Sequence, residues 1–182
     1  MRLSWDVPCL VRAVEAYRRE DWVPIRSGGV EYETGWMLLP LRSRGGDPRD
    51  GSSGDVGDRP YEDTPLLMRA PYFEQVLYDF ACELRAVRLS ALRPGARIAP
   101  HADREVRLEK GRPIRLHVPI VLGDTSLFVA GHEMRWDAGE LWYADFGLTH
   151  SAANYGAETR VHLLVVAVVN DWLLSLFPDY SG

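Results

Sequence analysis

The chain has 182 residues, 46% of them apolar and 26% charged, the composition of one globular domain with a substantial core. Its 21 basic and 26 acidic side chains leave a formal net charge of −5, so the basic footprint of a nucleic-acid-coating protein is absent. The longest apolar run, 163–169, is seven residues against the roughly 20 that a bilayer needs, which argues against a membrane partner.

Asp6 and Pro8 interrupt the N-terminal stretch, so no apolar secretory segment is expected there. Cys9 and Cys82 are too few and too far apart for a disulfide framework or a cysteine zinc site. Cytoplasm is the expected compartment. Leu10, Val11, Val14 and Tyr17 recur at helical spacing and predict a first amphipathic helix. Trp36 to Leu39, stopped by Pro40, reads as a strand. Residues 42–60 are rich in glycine, serine and aspartate and read as a long flexible loop, either disordered surface or a flap over a substrate. Arg42, Arg44 and Arg49 in that loop, with Arg107 and Arg112, are either solvated charge or grips for a substrate carboxylate.

After Pro71 a second helix places Tyr72, Phe73, Val76, Leu77 and Phe80 on one side and is expected to close at Cys82, a small buried hydrophobe. From Leu84 the texture turns to strands, expected at 87–92, 114–122, 126–129, 141–144 and 161–169. Turn signals such as Pro94-Gly95, Gly123-Asp124 and Ala138-Gly139 bound them. Many short strands after helices predict a mainly β fold with flanking helices: a double-stranded β-helix, or cupin-like jelly roll, with an N-terminal helical buttress. One domain, 1–182, is expected, with 1–83 packed on a core at 84–170 and a C-terminal segment at 171–182.

His101 and Asp103 form an H-x-D pair, and alternate residues of an extended segment point to one side, so both can reach one ion. His150 is the candidate third ligand. Two imidazoles and one carboxylate, with the opposite side of the metal open, is the arrangement of non-haem Fe(II) oxygenases. The bland alternative is a surface histidine beside a loop aspartate. Arg160 opens an apolar strand in which Arg160, His162 and Leu164 share one side. A guanidinium there is costly unless an anion pairs with it. It is therefore either half of a structural ion pair or the end of a pocket for a dicarboxylate cosubstrate that chelates the metal. Arg115 and His117 share a side of another apolar strand, and Ser90 is a lone small polar residue in 88–92. Each is either a satisfied core group or part of a polar interior. Trp136, Trp142, Tyr143, Phe128 and Phe146 read as core or barrel lining, His132 as a turn histidine and Glu140 as structural. His162 could support Arg160.

From Arg88 to Val169 the sequence resembles the aspartyl/asparaginyl β-hydroxylase family of Fe(II)/2-oxoglutarate dioxygenases. The matching pieces are Arg88-Leu89-Ser90, Arg93-Pro94-Gly95, Pro100-His101, Arg115-Leu116-His117, Trp136-Asp137-Ala138-Gly139-Glu140, Asp145-Phe146 with His150, and Arg160. The resemblance implies that His101 and His150 ligate iron. It implies that Arg160 and Ser90 meet the distal carboxylate of 2-oxoglutarate. Arg115 and His117 would lie near its metal-proximal end or the substrate. Asp103 departs from the vertebrate-type enzyme, which lacks a carboxylate there, and approaches the triad of related proline hydroxylases. The implied reaction consumes O2 and yields succinate and CO2 while hydroxylating an amino-acid side chain. An Asp or Asn side chain, free, peptidyl or carrier-bound, is the first expectation, and free proline or another small amino acid the next. Rival readings are a cupin-type metalloenzyme without 2-oxoglutarate and a non-catalytic small-acid binding module.

Overall fold

A computed structural model describes residues 3–25, 35–52, 58–103 and 106–177. Positions 53–57 of the expected loop and 178–182 of the C-terminal segment lie outside the described residues. In chain order the elements are α1 (Val7–Glu15), β1 (Val23–Pro24), β2 (Trp36–Arg44), β3 (Tyr61–Asp63), α2 (Pro71–Tyr78), β4 (Leu84–Leu92) and β5 (Arg97–His101). They continue with β6 (Pro113–Val121), β7 (Thr125–Val129), β8 (His132–Glu133), β9 (Trp142–Tyr143), β10 (His150–Asn154), β11 (Arg160–Val168) and α3 (Asp171–Ser175). No helix among the described residues is long and apolar enough to cross a membrane.

The larger sheet runs β1-β2-β4-β11-β6-β9, with β3 added on β2, and the smaller runs β5-β10-β7-β8. The long strands β4, β6 and β11 obey a period of two and are buried on both sides. Val87, Leu89, Leu116, Val118, Leu163 and Val165 join Leu10, Ala13, Phe73 and Val76 of the helices in the main core. The other side of the same strands carries Arg88, Ser90, Arg115, His117, Arg160 and His162 and faces the smaller sheet. At one end the two sheets close on each other through Trp36 and Leu92 against Ile98 and Ala152. This is a jelly roll buttressed by N-terminal helices, with an apolar outer layer and a polar interior.

Local chemistry explains the helix ends. Asp6 caps α1, its carboxylate accepting from the Cys9 amide at 2.7 Å, and Pro8 fits the first turn, where no amide is needed. Pro71 opens α2 for the same reason. That helix stops at Tyr78, four residues before the expected Cys82, because Asp79 is pinned by the Trp5 indole at 2.7 Å and the chain turns into β4. Gly139 has φ +79°, and a Cβ there would stand 2.5 Å from the Trp5 carbonyl oxygen. The Trp5 amide donates to the Gly139 carbonyl at 2.8 Å, so this glycine lets the N-terminal segment lie against the barrel.

The loop expected over 42–60 begins later than its composition suggests. Residues 42–44 continue β2 and pair with β3, and Ser43 is buried. Arg42 holds Asp63 at 2.5 Å and two backbone carbonyls, Arg44 donates to the Arg59 carbonyl, and Arg49 donates to the Glu20 carbonyl. These three guanidiniums tie the chain to itself. Arg107 and Arg112 are exposed.

Candidate metal centre and the polar interior

β5 and β10 are the strands that matter most for the site, and neither is visible as a strand in the sequence. They lie antiparallel in the smaller sheet with His150 directly opposite His101. The two ring centroids are 4.1 Å apart. Each ring has its Nδ1 on a carbonyl two residues earlier, Ala99 at 2.9 Å for His101 and Leu148 at 3.0 Å for His150. A carbonyl only accepts, so Nδ1 carries the proton and Nε2 of each ring is the unprotonated nitrogen. Both Nε2 atoms look toward Asp103, His101 at 3.8 Å from Oδ1 and His150 at 3.8 Å from Oδ2.

The Asp103 amide donates to the Phe146 carbonyl at 2.8 Å, anchoring the loop after β5 beside β10. The three donor atoms lie within 4.8 Å of one another. Neighbouring donors on a first-row divalent ion with bonds of about 2.1 Å stand about 3 Å apart, so binding would draw these atoms together by about 1 Å or more. Burial holds the His150 ring below its usual pKa, against the pull of the Leu148 carbonyl, so it stays a neutral donor near neutrality. Two imidazoles and a carboxylate, with both cysteines elsewhere, suit iron-type chemistry better than a thiolate zinc site.

Arg115 donates a hydrogen bond to Asp103 Oδ2. It thus supports one arm of the cluster from behind and offsets its negative charge. His117, two residues on, is 6% exposed and lies against Trp136 and Phe146, with ring centroids at 5.0 and 4.8 Å. Its Nδ1 is 3.3 Å from Nδ1 of His162, and its buried Nε2 has no partner among the described residues. Burial, reinforced by Arg115 and Arg160, keeps His117 far below the usual histidine pKa; burial and Arg160 do the same for His162.

Arg160 is 3% exposed, and no acid pairs with it among the described residues. The structural ion pair offered by the sequence is therefore not formed there. Burial alone holds its pKa at about 10. The side chain borders a cavity of about 440 Å³ shared with His162, Trp136, Met134, Glu133, Arg135 and Asp137. Ser90 sits opposite His162 in the sheet, and its hydroxyl accepts from the Trp36 indole at 2.9 Å, leaving its own proton free to donate. A buried guanidinium without an acid and an orphaned imidazole nitrogen, both on the inner side of the larger sheet, are groups that an anionic ligand would satisfy.

Two participants escaped the sequence reading. Arg88 is 8% exposed, donates to the Ser52 carbonyl and has its pKa held at about 10, by burial first and Arg115 second. Its signal was available, since it precedes Ser90 by two and must share its side of β4. Phe146 packs on both His117 and His150, at 4.8 Å in each case. The Asp145-Phe146 piece of the family resemblance includes it, but gives it no role beyond that of a lining aromatic. His132 lies in the exposed β7–β8 hairpin, away from the cluster.

The profile described as Aspartyl/Asparaginyl beta-hydroxylase matches residues 12–169, nearly the whole chain. The chain belongs to the aspartyl/asparaginyl β-hydroxylase family. This family member is 28% identical over 142 residues to L-proline cis-3-hydroxylase 2 of Streptomyces sp, covering 74% of this chain and 48% of that protein. It is 31% identical over 123 residues to L-proline cis-4-hydroxylase of Rhizobium meliloti (strain 1021), covering 64% of this chain and 40% of that one. The chain thus spans less than half the length of the curated relatives it matches. Among solved structures it is similar to an oxidoreductase of the 2OG-Fe(II) oxygenase family from Burkholderia pseudomallei. That match is 12% identical with a TM-score of 0.48, covering 87% of this chain and 77% of that one.

Proposed function

We propose that this family member is an Fe(II)- and 2-oxoglutarate-dependent dioxygenase that hydroxylates a small amino acid, with His101, Asp103 and His150 as metal ligands. The observation that carries the reading is the convergence of two unprotonated Nε2 atoms and one carboxylate from β5, β10 and the loop between β5 and β6. When bound, the metal with 2-oxoglutarate and O2 supplies the oxidation of an unactivated C–H bond, with succinate and CO2 as coproducts.

The protein's own work is to position and to exclude. The Ala99 and Leu148 carbonyls fix which nitrogen of each histidine faces the ion. Arg115 holds Asp103 in place and limits the charge it presents. Arg160, which borders the cavity, and the Ser90 hydroxyl on the same inner side of the sheet receive the far carboxylate of 2-oxoglutarate, where a desolvated guanidinium gains most from a bidentate partner. His117 serves the end nearer the metal. Trp136 and Phe146 cover His117 and keep water from this interior.

An amino-acid substrate is supported by both relatives, whose names specify L-proline, and by Asp103, which completes a two-histidine, one-carboxylate set. Free proline therefore stands ahead of the Asp- or Asn-type side chain that the family description suggests. The test supplies Fe(II), ascorbate and 2-oxoglutarate with a panel of free amino acids and short peptides, reading succinate and a one-oxygen mass gain. Metal-dependent succinate with one class of substrate, lost in His101→Ala, is the expected result. Binding of 2-oxoglutarate without turnover on any substrate would favour a binding module. Turnover independent of 2-oxoglutarate would favour another metalloenzyme chemistry.

A further inference from the structure

The buried pair of histidines behind the cluster poses a proton problem. His117 on β6 and His162 on β11 are 6% and 3% exposed and face each other Nδ1 to Nδ1 at 3.3 Å, with ring planes at 88°. Two bare nitrogens at that distance repel, and two protonated ones clash. One Nδ1 must carry hydrogen and the other must not, so the tautomers of the two rings are locked to each other.

Two arrangements satisfy this rule. Arg160 and Arg115 both bear on His117 and Arg160 on His162, and what separates the rings is that only His162 lines the cavity beside Arg160. Arg160 precedes His162 by two on the same strand, shares its inner side and lines the same cavity. With Nδ1 engaged by His117, the nitrogen of His162 left to that shared cavity is Nε2. A lone pair beside a buried cation is favoured, and an N–H beside it is repelled. His162 therefore keeps Nε2 bare and protonates Nδ1. His117 must then be bare at Nδ1 and protonated at Nε2, the atom that is buried and without a partner.

We infer that His162 is a positioning residue. Its Nδ1–H donates to Nδ1 of His117 and fixes His117 as the Nε2–H tautomer, a ready hydrogen-bond donor for a carboxylate oxygen of the 2-oxo acid. The inference rests on the function proposed above only for the identity of that acceptor. The reverse tautomer would turn a bare nitrogen toward an anion and repel it. The orphaned N–H is thus explained as a donor held for a ligand, since leaving it unmet is costly in a core.

The experiment uses the full chain loaded with Zn(II) as a diamagnetic stand-in and labelled with [15N]histidine. Long-range 1H–15N spectra report the tautomer of each ring, assigned with His117→Phe and His162→Phe. Calorimetry with 2-oxoglutarate reads binding, and thermal melting confirms folding. In the wild type His117 should be the Nε2–H tautomer. In His162→Phe its signals should move to a mixture of tautomers, and the Kd for 2-oxoglutarate should rise about tenfold, or about 1.4 kcal/mol. His162→Asn, whose amide nitrogen reaches the place of Nδ1, should restore most of both. A wild-type His117 protonated at Nδ1 overturns the inference, as does His162→Phe that folds and binds 2-oxoglutarate as tightly as the wild type. Wild-type protein with the Nε2–H tautomer but no affinity for 2-oxoglutarate would overturn the proposed function and, with it, the assigned acceptor, while upholding the lock.

Discussion

Replacing Arg160 with Met should move stability and ligand binding in opposite directions. The side chain is 3% exposed, its Nε has no partner among the described residues, and burial holds its pKa at about 10. Against the ordinary guanidinium value, that lowering corresponds to about 3 kcal/mol of charge burial that no acid among the described residues offsets. Met keeps most of the length and the apolar stem but removes the charge. Ligand-free Arg160→Met should therefore be more stable than the wild type by about 1–3 kcal/mol. For a chain of this size that raises the melting temperature by about 2–10 °C.

The same change should sharply reduce the response to 2-oxoglutarate. Deleting one partner of a desolvated charge pair costs about 2–5 kcal/mol, which is roughly 30-fold to several-thousand-fold in Kd. Melting curves of the metal-loaded protein with and without 2-oxoglutarate read both effects. At 100 times the wild-type Kd the ligand stabilises the wild type by about 2.7 kcal/mol, and at the same concentration this shift should fall to about 0.9 kcal/mol or less in the variant. If ligand-free Arg160→Met melts well below the wild type, the guanidinium supports the fold, and the reasoning fails.

Acid should weaken the fold through the two buried histidines. Their pKa values lie well below the usual one, with burial as the first cause. The unfolded chain takes up protons below about pH 6.5 that the native rings refuse, so stability is full above that pH. It falls on acidification by up to about 1.4 kcal/mol per pH unit per ring; melting between pH 7.5 and 5.5 measures this, and a flat profile contradicts it. Asp103→Ala should weaken divalent-metal binding by more than about 100-fold, and Arg115→Met, which removes only the support behind it, by about 10- to 100-fold. Competition titrations with Zn(II) or Co(II) decide, and wild-type affinity in Asp103→Ala would place the metal elsewhere. Phe73 is fully buried in α2 and stacked on Tyr17, so Phe73→Ala should cost about 3–5 kcal/mol without altering metal affinity in the folded protein. A loss of less than about 1 kcal/mol would mean that the helices add little to the barrel.

The long strands were legible because their burial is complete and local. In β4, β6 and β11 the alternation of apolar and polar residues tells which side packs on the helices and which faces inward. The same alternation marks Ser90, Arg115, His117, Arg160 and His162 as inner residues. β5 and β10 were hidden. Their sequences, Arg97-Ile98-Ala99-Pro100-His101 and His150-Ser151-Ala152-Ala153-Asn154, are short, small and polar, and β5 is an edge strand interrupted by a proline. The loop at 42–60 was overextended for a related reason. Arg42, Ser43 and Arg44 look like loop residues until β3 supplies their hydrogen bonds.

Sequence alone determined the family, the mainly β jelly roll with its helical buttress, and the residue types available for a metal and an anion. Those follow from motifs and periodicities confined to a few consecutive positions. The register that sets His150 against His101, the carbonyls that choose their protonated nitrogens, and the partners of the arginines were decided only in three dimensions. Arg115 took an aspartate, Arg88 a backbone carbonyl, and Arg160 no acid among the described residues. Hydrogen bonds and charge burial depend on atoms brought together from distant parts of the chain, and no local pattern encodes which of several identical side chains finds a partner.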